Sequence, residues 1–486
     1  MPPWPMRMLS PKQVREHGMA NEQGPAAQAQ SCSAKAADWY LGLKYTDLPD
    51  DIVARTKLHL LDVIGLALMG ATRESGQVVR RAVHALGKGE ECRILGYGDR
   101  TTALLAAIAN GTMAHSTEFD DTHNEAIAHI ANSVITTTLA LSESNALNGR
   151  DAIAAIAGAN EIACRVGVIA PGKMHAAGYH ATGVIGTISA SYLASRLLGL
   201  SLQQAQWCIG IAGSQAAGIM ECWSDGTWSK FLHPGLAAHN ALIAANLAMA
   251  GFTGPATVLE GRFGLLRSHV QDPNQVFDFE RMVGCLGSRW ESRDISFKPY
   301  PTAHFIHPFL DAIFALMHKH GIGASDVKSV MCPIAAHMIP IVCEPVEEKV
   351  RPASDWHGRV SLQYSIAEAL YFGRLDGQGY AEESLGNPRI LELAKKIDYR
   401  LDPDAPGRAH FKGWVIVETV DGRRLEHVEP RNRGSASNPM SADDIKEKFR
   451  SNARLMLDNP RVEQIVDRID NLEQLSDMRD LIALCC

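Results

Sequence analysis

The stretch WVIVETVDGRRLEHVEP, residues 414–430, is the clearest β-hairpin signal in the chain. Alternating strands flank Asp421-Gly422, a pair that suits a type I′ turn. Upstream, VKSVMCPIAA has the β-branched content of a strand, while His307 to His320 and Ser361 to Gly373 read as helices. This middle region mixes α and β, and everything around it reads as helix. TDLPDDIVARTKLHLLDVIGLALMG carries Thr46 or Asp47 as a cap, Pro49 for the first turn and Asp50 and Asp51 at the positive end. Further helices are expected over Thr101 to Thr117, Ser133 to Ala146, Asp151 to Val166 and Leu202 to about Cys222. Trp223 to His233 reads as a loop, with Pro234 starting the next helix. SFKPYPTAHFIHP, with three prolines in 13 residues, marks the entry to the mixed region, and helices resume after Asn438-Pro439.

The expected fold is mainly α. Both chain ends form a large all-helical domain, and a smaller α+β domain is inserted into it. The boundaries read as a flexible tail over 1–33, helical domain over 34–291, α+β domain over 292–436 and helical domain again over 437–486. A length of 486 residues exceeds one ordinary core, and 46% hydrophobic but only 6% aromatic content suits closely packed helices. Net charge is −7 with both signs dispersed, so neither nucleic acid nor a membrane surface is indicated as partner. The apolar run Val184 to Ile211 is broken by Arg196 and three glutamines, so no transmembrane span is expected. Ten cysteines without a CxxC pair suggest a reducing, cytoplasmic setting with no zinc or iron–sulfur site. GxGxxG, GxxxxGK[ST] and GxSxG are all absent, so no nucleotide cofactor or serine elbow is implied.

Four polar stretches interrupt the helices. HSTEFDDTHNEAIAH (115–129) packs three histidines and Glu118, Asp120, Asp121 and Glu125 into 15 residues. Such density is costly in an apolar chain unless the groups are wet, paired or used, so it is either a solvated acidic loop or an active-site wall. Thr122, His123 and His129 offer hydroxyl and imidazole groups there, and the HxxxxxH spacing is a poor metal signature. His180 precedes a Gly/Ser/Ala-rich helix. Lys230 and His233 precede Pro234, where a helix N-terminus would add to a carboxylate site, and Arg262 is either a further anion contact or a plain surface residue. Lys298, His304 and His307 lie in the proline-rich stretch.

Together HSTEFDDTHNEAIAH, GYHATGVIGT, the run from Ser224 to Pro255, SFKPYPTAHFIHP, SLQYSIAEAL and GSASNPMS resemble the MmgE/PrpD family, in the family's order and from about Ala34 onward. That family includes 2-methylcitrate dehydratase, cis-aconitate decarboxylase and iminodisuccinate epimerase. The resemblance implies an inserted α+β lid, a homodimer, and a lyase acting on a small di- or tricarboxylate without metal or organic cofactor. It places Glu118, Thr122 and His129 on one loop of the site, with His180, Lys230, Lys298 and Tyr364 completing it. His129 and His180 are the expected acid/base pair, with Thr122 and Tyr364 beside them. Lys230, Lys298, Glu118 and His233 are the expected substrate contacts. The loop holds one more residue between Thr122 and His129 than animal decarboxylases have, and DWHGRVSLQYS departs from several members. An epimerase, which needs the same two bases, and a non-catalytic binding homologue are the rival expectations.

Overall fold

The computed structural model describes residues 31–406 and 410–486; the tail expected over residues 1–30 lies outside them. The chain is mainly helical. Its first helix is Cys32–Gly42, capped by the Ser31 hydroxyl, so regular structure begins two residues ahead of the expected start. Asp50–Ala71, Ala103–His115, Ala131–Asn145, Gly149–Val168, Ala181–Leu197 and Ser229–Met249 follow as the main helices. None of the helices among the described residues is long and apolar enough to cross a membrane.

Two apolar cores organise these elements. One draws on residues from Ala36 to Ile295 and again from Phe449 to Cys485. The other draws on residues from Phe305 to Val417. The second core covers a four-stranded sheet in the order Ile397–Leu401, Val327–Ile334, Gly413–Thr419, Arg424–Glu429. The first two strands are parallel, as the long helical crossover between them requires, and the other pairings are antiparallel. The hairpin differs from expectation at its tip. Gly422 N–H bonds Thr419 O, Thr419 N–H bonds Arg423 O, and of the tip residues only Gly422 has positive φ. That is a type I turn closed by a glycine bulge; type I′ would need Asp421 left-handed as well.

Three other expectations are corrected. Pro49, not Thr46 or Asp47, is the N-cap of Asp50–Ala71, and the Asp47 carboxylate instead accepts from Lys44 N. The helix from Leu202 stops at Gly213, where Val258 packs close enough to meet a Cβ, and the chain then runs on irregularly to a bridge between Tyr179 and Ile219. The later helix starts at Ser229, not at Pro234. Asp225 accepts the Thr227 N–H, and this turn releases the chain into helix early. Pro234 sits inside the helix and withholds one hydrogen bond from the Lys230 carbonyl.

That helix crosses Ala103–His115 at two glycines. A Cβ on Gly111 would lie 2.6 Å from Gly235 Cα, and one on Gly235 would lie 2.4 Å from Ile108 O. The close crossing sets the last residue of one helix, His115, beside the second residue of the other, Lys230.

Candidate active site

The 115–129 stretch is buried, not solvated: Glu118, Asp120, Asp121, Thr122, His123 and Asn124 are all inside. Its groups are therefore paired or used. Asp121 caps the Ala131–Asn145 helix, accepting from Ile130 N at 2.8 Å and Ala131 N at 3.3 Å. Asp120 takes the His115 Nδ1–H at 2.8 Å and lies 3.2 Å from His129 Nδ1. Burial opposes its charge, but the two histidines outweigh burial and hold Asp120 well below the usual carboxylate range. Thr122–His123 pairs with Ile295–Ser296 in a short antiparallel ribbon. Glu118 and Ile127 have φ of 51° and 50°. Left-handed backbone at a glutamate and a β-branched residue is strained, which a loop retains only when its surroundings over-determine it.

Those surroundings come from distant chain. Arg359, fully buried, donates to Thr117 O at 3.0 Å and Pro301 O at 2.8 Å. Lys448, in the Ala442–Ala453 helix, donates to Phe119 O at 2.8 Å and pairs with Asp62 at 2.8 Å.

A cavity of about 280 Å³ opens between the two cores. Glu118, Thr122, His129, His180, Lys230 and Lys298 line it from one side, and residues between Ala303 and Phe411 line it from the other. Lys230 ion-pairs with Glu118 and donates to His115 Nε2 at 3.3 Å. Lys298 donates to Glu118 O at 3.0 Å and lies 3.4 Å from Glu118 Oε2. Burial, and then the Lys298 charge, pull the Lys230 ammonium well below its usual range. Burial lowers Lys298 to about 8, against the pull of Asp120 and Asp121. His129 Nδ1–H donates to Asp121 O at 2.8 Å, so Nε2 is the nitrogen left to act. The His129 and His180 ring centres stand 5.8 Å apart. His180 is held by His233, Nδ1 to Nδ1 at 2.9 Å, and burial, with His233 and His115 adding, keeps it neutral. Thr122 Oγ1 is buried with no partner among the described residues.

Nitrogens of His115, His129 and His180 lie within 4.8 Å of one another, the spacing of a metal-ligand set. His115 turns its Nδ1 to Asp120 at 2.8 Å and its Nε2 to Lys230 at 3.3 Å, so both of its nitrogens are engaged by other groups.

Sequence models of the MmgE/PrpD N-terminal domain and of the MmgE/PrpD C-terminal domain match residues 34–278 and 300–474. The chain belongs to the MmgE/PrpD family. A cis-aconitate decarboxylase of Aspergillus terreus is 27% identical over 96% of this chain and 98% of its own. The Homo sapiens cis-aconitate decarboxylase is 28% identical over 91% and 92%. A cis-aconitate decarboxylase-like protein oryM of Aspergillus oryzae is 27% identical over 93% and 96%.

Six of the eight site residues expected in this MmgE/PrpD chain line the one cavity, and two do not. His233 stands behind His180, because its place in the first turns of the helix turns it away from the cavity. Tyr364 is wholly buried in the second core, facing Tyr380, and its hydroxyl has no partner among the described residues. The Ser361 cap sets the Leu362–Phe372 helix so that position 364 points inward. Arg262 is an exposed residue lying over the Phe263 ring. His115, Asp120, Arg359 and Lys448 were not singled out as site residues by sequence; all four hold the loop that carries the others. His115 is the one with a readable signal, since it ends a helix at the head of the polar stretch.

Proposed function

We propose that this protein is a cofactor-independent lyase that acts on a small di- or tricarboxylate by proton transfer next to a carboxylate. Cis-aconitate is the favoured substrate and loss of CO2 the favoured outcome, a reading supported by the names of the relatives. One observation carries it: two buried ammonium groups, Lys230 and Lys298, converge on a single carboxylate, Glu118, at a cavity that His129 and His180 also line. Two positive charges against one negative leave room for a substrate carboxylate.

In decarboxylation the C–C bond to one carboxylate breaks and CO2 leaves. The electron pair stays on the carbon framework, delocalised toward a neighbouring carboxylate, and a proton is added at carbon. Lys230 and Lys298 stabilise the developing charge from fixed positions in a water-poor site. His129 exchanges the proton through Nε2, and His180 is the second member of the pair. The free Thr122 hydroxyl orients a substrate oxygen, and His233 steadies His180. Glu118 spaces the lysines. The 292–436 segment is read as an inserted lid, a homodimer is the assembly expected from the resemblance, and the cytoplasmic setting is the one read from the cysteines. Tyr364, expected to close the site by hydrogen bonding, lies in the second core and outside the cavity lining, so no step is assigned to it here.

The test is NMR of the purified protein in D2O with cis-aconitate, 2-methylcitrate and iminodisuccinate. The expected result is CO2 loss from cis-aconitate with deuterium placed at one product carbon. His129→Ala and His180→Ala should each lower kcat by about 10²–10⁴-fold. Deuterium exchange into iminodisuccinate alone would favour the epimerase, and full turnover by both variants would remove the assigned pair.

A further inference from the structure

His304 lines the cavity opposite the 115–129 loop and is not among the groups used above. Its ring is buried and touches two neighbours: His307, with ring centres 4.7 Å apart, and Phe411 at 5.4 Å. Its two nitrogens have different surroundings. Nε2 lies 2.9 Å from Asn432 Nδ2, and Nδ1 has no partner among the described residues.

Which tautomer this imposes depends on which end of the Asn432 amide faces the ring. A backbone N–H answers that. Phe411 N lies 3.2 Å from Asn432 Oδ1 and can only donate, so the atom facing it must be the amide oxygen. The Asn432 backbone N–H returns a bond to Phe411 O at 3.0 Å, which pins the residue in place. Asn124 Nδ2 donates to the same Oδ1 at 3.2 Å, and Asn124 Oδ1 in turn accepts from the Ser296 hydroxyl at 3.1 Å. With the oxygen so placed, the Asn432 NH₂ points at His304 Nε2, which must therefore be the bare, accepting nitrogen.

We infer that Asn432 is a positioning residue that fixes His304 as the Nδ1–H tautomer, so that His304 presents a hydrogen-bond donor to a substrate carboxylate oxygen. His307, next to it, is set the opposite way: Thr302 O lies 3.1 Å from its Nε2, which must carry the proton. Two adjacent neutral histidines thus have opposite polarity, each dictated by a group that cannot reverse its own role. Burial holds both rings neutral, with His307 and Lys298 adding to the effect on His304. The donor role rests on the cavity being the carboxylate site proposed above; the tautomer does not.

The experiment is ring-¹⁵N NMR of histidine-labelled full-length protein, with the His304 signals identified by their loss in His304→Gln. In the wild type Nε2 should be pyridine-like and Nδ1 pyrrole-like. Asn432→Asp puts an acceptor where the donor was, so Nε2 should become pyrrole-like. Asn432→Leu keeps the shape and removes the donor, so both nitrogens should shift toward intermediate values. With cis-aconitate, Asn432→Leu leaves Nδ1–H only partly populated, so KM should rise a few-fold, by about the inverse of that population, and kcat should change less. Asn124→Ala breaks the same network one step back, where Phe411 N–H still holds the amide, and should leave the His304 tautomer as in the wild type. A protonated Nε2 in the wild type, or an unchanged Nε2 in Asn432→Asp, would overturn the assignment. A shifted tautomer with unchanged KM would overturn the donor role. Wild-type protein that turns over none of the acids would sink the lyase reading, while the ring shifts would still decide the tautomer.

Discussion

Lys298 controls how much positive charge the cavity holds near neutral pH. Burial brings its ammonium down from an ordinary 10.5 to about 8. Below that value it is charged and attracts a carboxylate; above it the attraction fades. The dissociation constant of cis-aconitate should therefore rise as pH climbs through about 8. Stability runs the other way. The folded pKa lies below the unfolded one, so between about 8 and 10.5 the unfolded chain binds more protons, and this group's contribution to stability grows with pH across that window. Calorimetric titrations from pH 7 to 9, with thermal melts over the same range, separate the two; a flat dissociation constant would remove Lys298 from binding. Lys298→Met should weaken binding and remove the pH step centred near 8. At this scale the lysines were legible because each sits in a distinctive local sequence. Which groups Asp120 pairs with was not, because that depends on burial, and burial depends on chain hundreds of residues away.

Among the elements, the crossing of Ala103–His115 and Ser229–Met249 sets the geometry of the site. Gly235→Ala adds a methyl 2.4 Å from Ile108 O, so the two backbones must part. That should cost about 1–3 kcal/mol of stability. Because the crossing also spaces Lys230 from His115, kcat/KM should fall as much as about 10²-fold. Gly42→Ala, at an exposed helix end with nothing within 4 Å, is the control and should be neutral or slightly stabilising. Unchanged kcat/KM in Gly235→Ala would show that the crossing does not position the site. Sequence periodicity located most of these helices, and His307–His320 matched at both ends. Pro234 misled because proline is commonest in a first turn. Here a turn at Asp225 had already started the helix, and the close glycine contact one residue later outweighs one missing hydrogen bond. The hairpin strands were legible from alternation; its tip was not, since Asp-Gly fits either turn and the difference lies in one φ angle.

At the scale of the whole molecule, the loop that carries the site is tied to both ends of the chain. Lys448 and Asp62 are 386 residues apart and both buried. Burial raises the Asp62 carboxyl and lowers the Lys448 ammonium, each against the pull of its partner. A pair strained in this way contributes placement more than stability. What it places is the Lys448 N–H on Phe119 O, next to Glu118. Nothing in SADDIKEKFRSNARLML marks that lysine, since its neighbours read as an ordinary amphipathic helix; only the fold brings it to the loop. Two variants separate the roles. Lys448→Met leaves Asp62 buried without a partner and should cost about 3–5 kcal/mol. Adding Asp62→Asn removes the stranded charge and should return most of that stability in denaturant melts. The Phe119 carbonyl is still without its donor in the double variant, so kcat on cis-aconitate should stay about 10-fold low. If the double variant regained full kcat along with its stability, Lys448 would be holding the fold alone, and Glu118 would owe its strained backbone to Arg359 and Lys298.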